Sequence, residues 1–280
     1  MQPINIITIN ILSDLSRWNQ RSGLLASELR RLQPDVVFLQ EVKLPQNPAV
    51  WLADQLGFEH CLLTPHSREE PAEGIATISR FPLEHPAMLD LGSQRRVAQA
   101  VQIVLGDNRL LLANGHLFWQ PGDSDERLRQ VERLTGWLKG MPHDMLRVIG
   151  GDFNGTPDSR ALRRMREEYN SAFAKVHGNE PARTAPTPLK RSFTSLVRTL
   201  FRFRKLIRLR DFSLHWSGTL DYLFVDPRLR VLDCQVVFDR PDENDPGIYP
   251  SDHFGIFARI GLPEKPLHDE SENLDEGAVA

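Results

Sequence analysis

Asp35-Val36-Val37-Phe38-Leu39-Gln40-Glu41 reads as a buried strand that turns polar at its last two residues. Upstream, residues 4–12 are rich in isoleucine and broken by polar residues, a second strand pattern. Between the two, Leu24, Leu25, Leu29 and Leu32 mark a helix with Ser22 as its cap and Pro34 as its stop. A strand–helix–strand unit of this kind belongs to an α/β sandwich. Working outward, the pattern predicts a helix over residues 49–56 and strands over 58–63 and 74–79. Residues 97–105 and 109–116 are strands flanking the hairpin signal Gly106-Asp107-Asn108. Residues 123–138 form an amphipathic helix with Leu128, Val131, Leu134 and Leu138 on one face. A strand over 145–150, a polar helix over 158–169 and strands over 219–225, 230–238 and 253–260 complete the series. No repeat period and no linker divides the chain.

The composition is that of an ordinary globular protein: 40% hydrophobic and 25% charged over 280 residues. The net charge of −3 conceals an acidic tail, which holds Glu264, Asp269, Glu270, Glu272, Asp275 and Glu276 against one base, Lys265. The body is near neutral, so nothing in it implies a surface that coats nucleic acid uniformly. The tail beyond residue 262 has few apolar residues and is expected to be disordered. Cys61 and Cys234 both lie in apolar runs, so two buried thiols are expected, with a single disulfide as the alternative. The start of the chain lacks a basic segment followed by an apolar core, and no apolar run reaches about 18 residues. A cytoplasmic location follows as an expectation.

Polar residues recur where the predicted strands end: Asn10, Gln40-Glu41, His116, Gly151-Asp152-Phe153-Asn154, Leu220-Asp221-Tyr222 and Ser251-Asp252-His253. One such residue is ordinary. Six strand ends carrying carboxylate, amide and imidazole groups describe the rim of one site, suited to a hard metal ion and phosphate ester chemistry. Glu41 follows an apolar run and needs a partner, which Mg²⁺ could supply through one carboxylate and several waters; a solvated strand end is the plainer reading. Asp152 and Asn154 flank Phe153, so both polar groups face one way and Phe153 faces the core; an Asx turn would explain the pair too. Asp221 lies inside a strand-like run and could hold His253, raising its basicity and fixing its tautomer. His116 could bond a phosphate oxygen. Arg127 and Gln130, one helical turn apart, could support His116 or the substrate; a solvated helix face explains them nearly as well.

In their order along the chain, these stretches resemble the endonuclease/exonuclease/phosphatase superfamily across residues 4–261. Thr8-Ile9-Asn10-Ile11-Leu12, Leu39-Gln40-Glu41-Val42, Gly74-Ile75-Ala76-Thr77-Ile78-Ser79-Arg80-Phe81-Pro82, Asn114-Gly115-His116-Leu117, Gly151-Asp152-Phe153-Asn154, Leu220-Asp221-Tyr222-Leu223-Phe224 and Tyr249-Pro250-Ser251-Asp252-His253 carry it. The resemblance implies an α/β fold of the α+β type, a four-layer sandwich of two mixed β-sheets flanked by helices. It implies that Glu41, Asn10 and Asp252 hold Mg²⁺, with Mn²⁺ as a possible substitute. Asp152 would orient or deprotonate the attacking water, Asn154 and His116 would bind the reacting phosphate, and His253 would act with Asp221 behind it. In a two-metal version Asp152 and Asn154 would join Asp252 around a second ion. His116-Leu117-Phe118-Trp119-Gln120-Pro121 followed by Arg127 and Gln130 is similar to the deadenylase and nocturnin branch. Leu12 stands where abasic-site endonucleases carry an Asp, and Gly115 replaces a common Thr.

Residues 181–210 hold nine basic residues and no acid. From Phe193 the apolar residues fall on one helical side, interrupted by Arg204, with Arg191, Arg198, Arg202 and Lys205 opposite; a helix docked on the body with solvated arginines would explain the pattern too. Arg198, Arg202 and Lys205 are therefore candidates for binding anionic substrate, or an anionic membrane surface through residues 190–210. The expected organisation is a catalytic domain over residues 1–262 with a basic insertion at about 183–212, acting as a monomer on a nucleic acid or nucleotide. The rival readings are a sphingomyelinase-like phospholipid phosphodiesterase and a non-catalytic scaffold that keeps the fold.

Overall fold

The computed structural model describes residues 3–120, 122–189 and 217–263. In chain order the elements are β1 (Pro3–Asn10), α1 (Trp18–Leu32), β2 (Val36–Lys43), α2 (Pro48–Leu56), β3 (His60–Pro65), β4 (Glu73–Ser79), β5 (Glu84–Asp90), β6 (Val97–Leu105), β7 (Asn108–His116), α3 (Asp125–Lys139), β8 (Leu146–Asp152), α4 (Arg160–Arg166), β9 (Asn170–Ser171), α5 (Ala172–His177), β10 (Asp221–Val225), β11 (Arg230–Val237) and β12 (Gly255–Gly261). They form two six-stranded sheets, ordered β11-β12-β1-β2-β4-β3 and β5-β6-β7-β8-β10-β9. Both are mixed: β1 and β2 are parallel in one, β7 and β8 in the other, and the remaining pairs are antiparallel.

Side-chain alternation along the strands builds the layers. Ile4, Ile6, Val36, Phe38, Leu110, Leu112, Val148 and Leu223 point between the sheets into a shared core. The intervening Ile7, Ile9, Val37 and Leu39 point outward, under Leu25 and Leu29 of α1 and Leu52 of α2. On the other sheet Leu111, Ala113, Ile149 and Phe224 point outward against Val131 and Leu134 of α3 and Leu162 of α4. Helix, sheet, sheet, helix is thus the order of layers, the four-layer sandwich the resemblance implies. Among the described residues no helix is long and apolar enough to cross a membrane.

Three local expectations are corrected. Ser22 does not cap α1; the helix starts at Trp18, and Ser22 lies on its buried side. The helix expected over 158–169 is only Arg160–Arg166, with Tyr169 buried beneath it. Glu41 does not end its strand but sits inside β2 at an irregularity between Leu39 and Val42, with φ 57. Cys61 is half-buried and Cys234 buried, and both are free thiols. The basic stretch with Arg198, Arg202 and Lys205, and the acidic tail from Glu264, lie outside the described residues.

Candidate active site

The inner faces that are apolar at one end of the strands become polar at the other. After Ile4 and Ile6 the same face of β1 carries Thr8 and Asn10; after Leu110 and Leu112, β7 carries Asn114 and His116; after Leu146 and Val148, β8 carries Gly150 and Asp152. Register then aligns these ends, with His116 opposite Asp152 in β7–β8 and Asp152 opposite Asp221 in β8–β10.

Asn10 joins the two sheets at this end. Its Nδ2 donates to Asp152 Oδ2 at 3.0 Å and to Glu41 Oε1 at 3.3 Å, so one amide nitrogen touches both carboxylates. The bulge in β2 aims Glu41 here, and its Oε2 accepts from the Ser13 amide at 3.0 Å. Burial works against the Glu41 charge. The Ser13 amide, His253, Arg96 and Asn10 outweigh it and hold the carboxyl below its usual range.

Asp152 is wholly buried, and its Oδ1 accepts from the Asn154 amide at 2.9 Å. Burial lifts its carboxyl to about 7 against the pull of His253, and Asp221 adds to the rise. His116 places Nε2 3.5 Å from Asp152 Oδ2. Asn154 donates from Nδ2 to the Leu117 carbonyl at 3.2 Å, which uses one of its two amide hydrogens. As expected from the spacing, Phe153 between them is in the core, edge-on to Phe224.

His253 Nδ1 is 2.9 Å from Asp221 Oδ2, the same oxygen that accepts from Thr184 Oγ1 at 2.7 Å. Burial alone would discharge the imidazole, but Asp221, Asp152 and Asp252 raise its pKa well above the ordinary value. The loop that carries it is tied down by Ser251 Oγ, which donates to the Asn10 carbonyl at 2.6 Å, and by Thr187, whose amide donates to the Asp252 carbonyl at 2.8 Å.

The expected residues Asn10, Glu41, His116, Asp152, Asn154, Asp221 and His253 therefore lie in one connected set, with Asp252 next to His253 in the chain and its charge helping to raise the imidazole pKa. Two others do not join it. Gln40 is buried between the sheets, donating to Thr8 Oγ1 at 3.1 Å and Asn114 Oδ1 at 2.8 Å. Arg127 is wholly buried and donates to the carbonyls of Phe118 at 3.1 Å, Gly122 at 2.8 Å and Gln120 at 2.5 Å. That corrects its expected place at the substrate: with Gln130, which accepts from the Phe118 amide at 2.7 Å, it staples the loop after His116.

Sequence reading missed several supports. Arg21 is wholly buried and bonds the carbonyls of Ile11 and Pro250, each at 2.9 Å, joining the loop after β1 to the loop before β12. A signal existed, since Arg21 falls on the same helical side as Leu25 and Leu29. Thr184 and Arg96 carried no such signal, because only tertiary contacts select and bury them.

The donor set tests for a metal. Asp152, Asp221 and His253 offer ligand atoms within 4.8 Å of one another, so acidic and histidine groups that could hold an ion are present. His253 Nδ1 is already engaged by Asp221, whereas Glu41 and Asp152 supply carboxylate oxygens. An oxygen set fits a hard cation.

A two-sheet sandwich with carboxylates, an amide and paired histidines at one end of its inner face defines a class, the phosphoesterases. The chain belongs to the endonuclease/exonuclease/phosphatase family, whose model matches residues 7–253. Its relatives place it with the deadenylase and nocturnin-like branch. It is 27% identical over 176 residues to Protein angel of Drosophila melanogaster, covering 55% of this chain and 48% of that protein. It is 26% identical over 175 residues to the probable RNA exonuclease NGL3 of Saccharomyces cerevisiae, covering 51% of this chain and 33% of that protein. The matches thus span half or less of those relatives. Its fold matches that of the human Nocturnin catalytic domain with bound sulfate, with TM-score 0.71 at 21% identity, covering 92% of this chain and 94% of that one.

Proposed function

We propose that this chain is a Mg²⁺-dependent phosphodiesterase that hydrolyses RNA or a related nucleotide by in-line attack of water. The observation that carries the reading is the Asn10 amide shared by Glu41 and Asp152, with His116 on one side of Asp152 and the Asp221–His253 pair on the other. Glu41, with Asn10 and Asp252 nearby, would hold the ion. When bound, it supplies Lewis-acid neutralisation of phosphate charge. Asp152 orients the attacking water and accepts its proton. His116 and Asn154 hold the non-bridging oxygens. His253, kept cationic by Asp221, stabilises charge developing in the transition state.

RNA is favoured because one relative is named a probable RNA exonuclease. Arg198, Arg202 and Lys205 add basic charge for an anionic chain or surface. The test is hydrolysis of single-stranded RNA, single-stranded DNA, NADP and sphingomyelin vesicles, with and without Mg²⁺, using Glu41→Ala as control. Cleavage of RNA that requires Mg²⁺ and falls at least about 10³-fold in the control is expected. Sphingomyelin cleavage in place of RNA would assign the phospholipid reading. Activity that survives in Glu41→Ala, or no activity on any substrate, contradicts the assignment.

A further inference from the structure

Arg96 is buried beside the site with Nη1 2.9 Å from His116 Nδ1 and 3.7 Å from Glu73 Oε1. His66 completes the cluster: its Nδ1 lies 3.5 Å from the same Glu73 oxygen, and its ring centroid lies 5.5 Å from that of His116. His66, Glu73 and His116 offer ligand atoms within 4.8 Å of one another, which alone would suggest a transition-metal site. Arg96 argues otherwise, because its guanidinium already supplies the cluster's cation and already occupies His116 Nδ1.

A guanidinium can only donate, and it does not lose its proton in proteins. At 2.9 Å, His116 Nδ1 must therefore be the acceptor and carry no hydrogen. The ring hydrogen then sits on Nε2, the nitrogen that faces Asp152 at 3.5 Å. We propose that Arg96 is the positioning residue of His116, fixing it as the neutral Nε2–H tautomer so that it can only donate into the reaction centre. The phosphate that receives this donation rests on the function proposed above; the tautomer does not. Glu73 pairs with the same Nη1 that faces His116, while the adjacent Arg95 is exposed and pairs with Glu70 at 2.8 Å.

The test is ¹⁵N NMR of the imidazoles in the full chain without substrate, with His116→Gln assigning the resonances. Wild type and Arg96→Lys, which keeps a donor, should show His116 with a bare Nδ1 and a protonated Nε2. Arg96→Met should lose that single tautomer while retaining a cooperative unfolding transition. In hydrolysis, Arg96→Met should lower kcat about 100-fold with KM little changed, the cost of one misdirected donor. Combined with His116→Gln it should cost no more than His116→Gln alone. A wild-type His116 protonated on Nδ1, an unchanged tautomer in Arg96→Met, multiplying losses in the double variant, or stoichiometric Zn²⁺ binding abolished by His66→Gln would each overturn the proposal. An enzyme inactive on every substrate but showing the expected tautomer would remove the function above and leave the positioning role of Arg96 standing.

Discussion

His66 is a base with little to gain from a proton. Burial, aided by the Arg96 cation, lowers its pKa to about 3, against a smaller upward pull from Glu41. In the unfolded chain it takes up a proton near pH 6.5, and in the folded chain it does not. Its contribution to stability is therefore complete above pH 6.5 and is lost progressively as pH falls toward 3. Between pH 6.5 and 5, wild type should lose about 2 kcal/mol more unfolding free energy than His66→Gln, measured by urea denaturation. Equal losses would show that the native ring charges freely. At this scale, legibility depended on pattern rather than on sequence distance. Asp221 and His253 were readable as a pair because each stood at the polar end of an apolar run. Arg96 was not, since Arg95-Arg96 offers two equal bases, and only tertiary contacts bury one and expose the other.

At the element scale, β7 and β8 pack backbone against backbone where Gly115 and Gly151 pair in register. Gly151 has φ +147, and a Cβ there would lie 2.0 Å from the Gly115 carbonyl oxygen. Gly151→Ala should thus cost roughly 3 kcal/mol through strain and overlap, and shift Asp152. Gly23, exposed in α1 with nothing within 4 Å of a Cβ, provides the contrast: Gly23→Ala should gain about 0.5–1 kcal/mol. Thermal or chemical unfolding of the two variants checks both signs, and a neutral Gly151→Ala would contradict the packing described. The Gly115 carbonyl, not its missing side chain, makes this approach, since a Cβ at residue 115 would meet Leu117 Cδ1 at 3.3 Å instead. Elements with strong periodicity were readable, including the β6–β7 hairpin across Gly106-Asp107. β5 was not, because its side chains are mostly exposed and His85-Pro86 interrupts any alternation. Nor was α5, which has six residues and one buried side chain.

Across the whole molecule, one device makes both core and site. Strands that alternate inward and outward keep the inner face apolar at one end and polar at the other, so the packing that joins the sheets also brings Asn10, Glu41, His116, Asp152, Asp221 and His253 together. The polar ends could be read from the sequence strand by strand. Their convergence was expected from their number and from the family resemblance, but the means of it, the β7–β8–β10 register and the Asn10 bridge between sheets, was not readable. If these groups act as one unit, removing a second one should do little further harm. The most direct measurement is single-turnover hydrolysis, on the substrate cleaved fastest, by Glu41→Gln, His253→Ala and the double variant in Mg²⁺. Each single change should lower the rate at least about 10³-fold, with the double variant within about threefold of the slower single. Losses that multiply to about 10⁶-fold, or a single variant with near-normal rate, would contradict the shared site.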